Sequence, residues 1–210
     1  MESDLLNKIY IGIDTSFHKT GWAVMKGFNI LDYGNIIPPK EFKKVKASDI
    51  EFSQFLLWYS KQIQKIVVDI FNKYHQIDYV VLEDLNVEFV RVAKAMIQVF
   101  SAARIGILMG YNFANISTIH NRTVKAMFEI PMGKQMSKYL KTHSGVKDRA
   151  KLEKLRPDKI LMVDRINKMY NYNTELTYDD NDIADAIALC ITKMIKLGSS
   201  NKCSTKKKKH

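Results

Sequence analysis

The sequence predicts an α/β fold, a mixed five-stranded sheet flanked by helices. Three observations carry this. An antiparallel meander opens the chain, a long helical run separates it from a second β-rich segment, and an apolar helix closes it. At 210 residues and 46% hydrophobic, the chain can bury a sizeable core without a second domain. The expected organisation is one domain over residues 1–197 and a basic tail over 198–210.

Lys8 to Asp14 (KIYIGID) and Gly21 to Met25 (GWAVM) read as strands joined by a turn of small and polar residues, with a third strand within Ile30 to Ile37. Pro38 and Pro39 end the meander. Phe52 to Tyr74 has apolar residues at helical spacing and no Gly or Pro, so it reads as a crossover helix. The strand that follows, Asp78 to Glu83 (DYVVLE), should therefore run parallel to the first.

Val90 to Tyr111 is apolar almost all round, with Ala93, Ala95, Ala102, Ala103 and Gly106 permitting close packing. One sheet face cannot cover such a helix, so a homodimer through residues 90–111 is expected. Asn115 to Ile119 reads as the last strand, and Asn121 to Glu129 as a short helix with Arg122 and Lys125 on one face. Pro131 to Pro157, rich in lysine and holding Gly133 and Gly145, reads as a mobile basic loop insertion with room for one helical segment inside. Asp158 to Tyr170 and Tyr178 to Leu197 read as helices. The Lys206 to Lys209 run, after Gly198, Ser199 and Ser200, reads as a disordered arm.

No run of about 18 apolar residues and no secretory leader is present, so neither a membrane span nor export is expected. Cys190 and Cys203 make no disulfide framework, and the five histidines have no metal-binding spacing. An intracellular, cytoplasmic setting is the simpler expectation. Charge is uneven. Residues 1–119 carry 13 basic against 12 acidic residues, whereas residues 120–170 carry 13 against 5. A basic middle suits a polyanion, against the plain alternative of a solvated face.

Four carboxylates are placed for one metal-dependent site. Asp14 and Glu83 end two apolar strands, and Asp182 and Asp185 lie three apart in the first turns of the closing helix. Each alone is an ordinary cap or surface acid; the distribution predicts a nuclease. Four acids held close would repel one another without metal, so at least one should have a raised pKa. Asp179 and Asp180 read as caps and Asp84 as facing the other side of its strand; His18 and Lys19, in the turn after Asp14, could approach a phosphate, with solvent exposure the default. Trp22 and Trp58 read as packing residues.

The segments IYIGIDTSFHKTGWAVMK, DYVVLEDL and DDNDIADAIALCITK resemble the RuvC Holliday junction resolvases of the RNase H-like superfamily. The D-x-x-D-A-[IL]-A pattern is the most specific piece. The resemblance implies that Asp14, Glu83, Asp182 and Asp185 are catalytic acids binding two Mg²⁺ ions per active site, with Mn²⁺ a substitute. It implies Arg104 as a structural or DNA-facing position, and Lys125 and Lys159 as phosphate-binding lysines; Arg122 joins them as a DNA-binding candidate. Where RuvC places an aromatic residue shortly after the second acid, this chain has Asn86, with Phe89 one turn later. That departure bears on cleavage-sequence preference, since no metal ligand is lost.

The extra 131–157 segment and lysine tail resemble a phage-encoded member, which would act in host cytoplasm. The expected activity is paired, metal-dependent nicking of branched DNA, chiefly four-way junctions, with a broader fork or branch endonuclease as the alternative. An actin-like ATPase or sugar kinase shares the opening G-I-D and T-G signals, but needs two related domains. A non-catalytic junction-binding protein is disfavoured by the presence of all four acids.

Overall fold

The computed structural model describes residues 2–42, 45–46, 49–84, 90–152, 154–171 and 173–206; for 2–3, 90–93 and 200–206 it describes the backbone alone. Asn86 and Phe89 lie outside the described residues.

A short helix α1 (Glu2–Leu6), absent from the sequence reading, precedes the meander β1 (Ile9–Asp14), β2 (Thr20–Lys26) and β3 (Asn29–Ile36). A 3-10 turn (Lys40–Phe42), the crossover helix α2 (Ile50–Tyr74), β4 (Tyr79–Asp84), α3 (Val90–Gly110), β5 (Ile116–His120) and α4 (Asn121–Met127) follow. The chain continues as α5 (Lys134–Thr142), α6 (Ser144–Leu152), α7 (Pro157–Met169), a second 3-10 turn (Tyr178–Asp180) and α8 (Asn181–Lys206).

The sheet has the order β3-β2-β1-β4-β5. β1, β2 and β3 pair antiparallel, while β1, β4 and β5 pair parallel, as the long crossover requires. The period of two along each strand sorts the core into two layers. Ile9, Ile11 and Ile13 of β1, with Val80 and Leu82 of β4, pack beneath Phe55, Ile63 and Val67 of α2 and Ile107 of α3. Tyr10 of β1 and Val81 of β4 face α7 and α8 on the other side, among Ile166, Ile183, Ile187 and Cys190. No helix among the described residues is long and apolar enough to cross a membrane.

Two glycines let α8 lie almost on the sheet backbone. A Cβ at Gly12 would stand 2.0 Å from the Ala186 carbonyl oxygen, and one at Gly21 would stand 2.1 Å from that of Asp182. The helix therefore meets β1 and β2 without side chains between them.

Two expectations need correction. The 131–157 segment is not a loop: α5 and α6 fill most of it, held by Met136, Tyr139 and Val146 against the α7–α8 core, with Ala150 buried. Gly133 and Gly145, which suggested irregularity, sit before α5 and within the first turn of α6. The closing helix does not end at Leu197 either. It runs through Gly198, Ser199 and Ser200 to Lys206, with Ser199 Oγ donating to the Ile195 carbonyl at 3.0 Å. Residues 207–210 lie outside the described residues.

Candidate metal-dependent active site

β1 and β4 end side by side. Ile13 pairs with Leu82, so Asp14 and Glu83 occupy equivalent positions at two parallel carboxyl ends. Strand alternation puts both on the α8 side, because Ile13 and Leu82 point the other way into the α2–α3 core. Asp14 also pairs with Gly21, whose backbone touches Asp182. The first turns of α8 thus cover the strand ends, with Asp182 and Asp185 one helical step apart. The four predicted acids therefore sit on adjoining elements, Asp14 near enough to Asp185 and Glu83, and Asp185 to Asp182, for their charges to interact.

Asp14 is buried at 8% exposure. Burial, then the negative charges of Asp185 and Glu83, hold its carboxyl well above the usual range, with Lys159 opposing the shift. The Asp185 carboxyl is pushed up to about 7 by burial, with Lys159 opposing and Glu83 adding repulsion. The crowding expected of four acids is therefore expressed at two of them.

Cations and amides hold the remainder. Lys159 Nζ lies 2.8 Å from Asp182 Oδ1 and 3.7 Å from Asp185 Oδ2, and donates to Asn181 Oδ1. Burial disfavours the Lys159 ammonium, but Asp185 and Asp182 outweigh it and keep its pKa above the ordinary lysine value. Lys19, expected to be a solvated turn residue, places Nζ 3.4 Å from Asp182 Oδ2 and donates to the Asp179 carbonyl. Asn121 Nδ2 donates to Glu83 Oε1 at 2.5 Å. Asn121 was not singled out for this site from the sequence, and Lys19, in the turn after Asp14, was read as exposed by default though within reach of a phosphate. Register could have found both, since Lys19 immediately precedes the strand that returns past Asp14, and Asn121 lies two residues beyond Ile119, the partner of Glu83.

The other candidates divide. Lys125 Nζ pairs with Asp158 Oδ2 at 2.5 Å, and both side chains are largely buried. Burial would raise the Asp158 carboxyl, but the hydrogen bond and charge of Lys125 outweigh it and hold it below the usual range. Arg122 is exposed on α4, its backbone N–H donating to His120 Nδ1 at 3.2 Å. Arg104 is exposed on α3, its guanidinium 5.8 Å from the Phe100 ring. It stands on the layer opposite α8, fourteen residues into a helix that rises about 1.5 Å per residue away from the strand ends. Asp180 closes a capping box with Thr177, as its position suggested, and Asp84 is exposed.

Among the described residues, no three histidine, cysteine or acidic side chains form a cluster that could hold a metal ion. Lys159 and Lys19 instead carry the positive charge at Asp182. The donor chemistry nevertheless fits a hard divalent cation: four carboxylates, and the buried Asn121 Oδ1, which has no hydrogen-bond partner.

No family model matches the sequence, and no curated protein matches it significantly. Solved structures do match the fold. RuvC of Thermus thermophilus in complex with a Holliday junction substrate superposes with a TM-score of 0.53 at 10% identity, covering 88% of this chain and 91% of that one. A second Thermus thermophilus RuvC structure gives 0.53 at 11% identity, over 88% and 92%. A yeast mitochondrial Holliday junction resolvase gives 0.43 at 11% identity, over 90% and 79%. The Thermus structures show that this chain has the RuvC, RNase H-like fold.

Proposed function

On the premise of a RuvC fold with Asp14, Glu83, Asp182 and Asp185 gathered at its strand ends, we propose that the protein is a divalent-metal-dependent endodeoxyribonuclease. Its substrate is branched DNA, chiefly the four-way junction, cut by paired phosphodiester hydrolysis. The observation that carries this reading is the convergence of two parallel strand ends and one helix turn on the buried Asp14 carboxylate, with Glu83 and Asp185 near enough to repel it.

The four acids would hold two Mg²⁺ ions, or Mn²⁺ in their place, Asp14 contributing from the rigid central strand. Metal bound there would supply a nucleophilic water near neutral pH and neutralise charge on the departing 3′ oxygen. The chain's own groups do the positioning. Lys159 and Lys19 orient Asp182 and bring positive charge to a site that must accept a phosphate, and Asn121 fixes the Glu83 carboxylate. The Asp158 carboxylate anchors Lys125 beside them.

Paired cuts require two active sites, and α3 offers a dimer surface. Its inner side packs on α2 through Val99, Ala103 and Ile107, leaving Ile97, Ile105, Leu108 and Met109 each more than 40% exposed. Four large apolar side chains exposed on one helix favour association with a second copy.

Nicking of a labelled four-way junction against matched linear duplex, with Mg²⁺ or EDTA, tests the reading. Paired, metal-dependent nicks on the junction, lost in Asp14→Asn, are expected. Tight junction binding without cleavage under any metal would make the protein architectural, and absence of junction preference would remove the resolvase reading.

A further inference from the structure

We propose that α5 and α6 form a duplex-gripping hairpin, whose two lysine stripes contact the phosphates of a DNA arm. This rests on the reading of the protein as a DNA enzyme and gives it a surface outside the carboxylate cluster. Lys134, Lys138 and Lys141 recur at i, i+4 and i+7 along α5, and Lys147, Lys151 and Lys154 repeat the same spacing along α6 and just past it. At that spacing the α5 trio shares one helical face, as do Lys147 and Lys151 on α6; Lys154 lies past the helix end with a left-handed φ of 52°, and all six side chains are exposed. The α5 stripe extends about 10 Å, roughly three base-pair steps of one DNA strand.

A solvated helix face usually interleaves acids with its lysines, giving opposite-charge pairs three or four residues apart. Along α5 this one does not, for Lys134–Thr142 holds no acid, and the whole 131–156 stretch sets two acids, Asp148 and Glu153, against eight lysines and arginines. The like-charged pairs Lys134–Lys138 and Lys147–Lys151 each disfavour their helix slightly, and a polyanion laid along the stripes reverses that effect.

The hairpin is also fastened to the site. Met136, Tyr139 and Val146 pack inward on the α7–α8 core, and Ala150 is buried. Arg149 of α6 makes a two-pronged contact with Asp164 of α7, at 2.6 and 3.4 Å, and donates to the Tyr178 hydroxyl. Its guanidinium stands 5.2 Å from the Tyr178 ring centroid. Tyr178 begins the turn that leads into Asp182, so a duplex held by the lysines is registered against the catalytic helix rather than tethered by a loop.

The experiment is binding of a fluorescent four-way junction, and of linear duplex with the same arm sequence, in EDTA over a range of salt. Two triple variants are compared with wild type: Lys134→Gln, Lys138→Gln, Lys141→Gln, and Lys147→Gln, Lys151→Gln, Lys154→Gln. Each should weaken both DNAs at least about 10-fold and lower the slope of log affinity against log salt by roughly 2 to 3, near 0.9 per lost phosphate contact. The corresponding Lys→Arg sets should restore both, which separates charge from fold. Wild-type affinity and slope in both Gln sets, with wild type binding DNA, would overturn the hairpin assignment alone. Equal wild-type affinity for junction and duplex would instead sink the junction reading, and the slope on duplex would still decide the hairpin.

Discussion

The ammonium of Lys159 lies 2.8 Å from Asp182 Oδ1 and 3.7 Å from Asp185 Oδ2, so one α7 side chain bridges the two acids that α8 contributes. In the absence of metal this lysine is the principal positive charge among four carboxylates, supported by Lys19 on the far oxygen of Asp182.

Removing that charge should cost stability first. Lys159→Met is expected to lose about 2 kcal/mol in the metal-free protein, because two acids lose their partner in a partly buried site. The same variant should gain more in melting temperature from added Mg²⁺ than wild type does, since a cation then supplies what the ammonium did. Thermal melts in EDTA and in Mg²⁺ measure both; an identical Mg²⁺ shift in the two proteins would contradict the account.

Asp14 and Asp185 have folded-state pKa values raised above the ordinary carboxylate value, Asp185 to about 7. Between roughly pH 4 and 7 the folded protein therefore binds more protons than the unfolded chain, and this pair's contribution to stability falls as pH rises. Asp158 is shifted the other way, so its contribution is present above the ordinary carboxylate value and is lost as pH falls through its lowered one. Denaturant unfolding in EDTA should show metal-free stability declining across that first window, and Asp14→Asn should flatten the decline. Metal binding should release protons, measurable by calorimetry in buffers of different ionisation enthalpy.

Gly21→Ala should displace α8. Its Cβ would meet the Asp182 carbonyl oxygen at 2.1 Å, and backbone on both sides leaves little room to yield. A loss of about 3 kcal/mol in urea unfolding is expected. Among molecules that remain folded, nicking should drop further, because the displaced segment carries Asp182.

Charge on the outer face of α3 should separate the copies. Ile105→Asp together with Leu108→Asp touches neither core nor carboxylates, since both side chains are about half exposed. Sedimentation should show monomers where wild type gives dimers, and nicks should become unpaired. A wild-type protein that sediments as a monomer at micromolar concentration would refute the interface.

The strands and the quartet of acids were legible because their signals are local: β-rich runs ending in a carboxylate, and two aspartates at helical spacing before an apolar stretch. The parallel pairing of β1 and β4 followed from the helix between them. What escaped depends on long-range contact. The position of Lys19 beside Asp14 follows from strand register, but its reach to a carbonyl 160 residues away does not. The α5–α6 pair escaped because its apolar residues are sparse beside its lysines, and because Gly145 falls inside a first turn that α7 and Tyr178 stabilise from outside through Arg149. α8 outran its expected end because Gly198 and two serines continue a helix already anchored by Ile191 and Met194, with Leu5 of α1 beside Gly198.

The close seating of α8 on Gly12 and Gly21 has a temporal meaning during synthesis. β1, at the centre of the sheet, is synthesised well before the helix that covers it and carries Asp182 and Asp185. A nascent chain that has already paired β1 with β4 still lacks both of these acids, so the proposed site cannot form before α8 docks. The docking of one helix thus completes the core and the proposed site together.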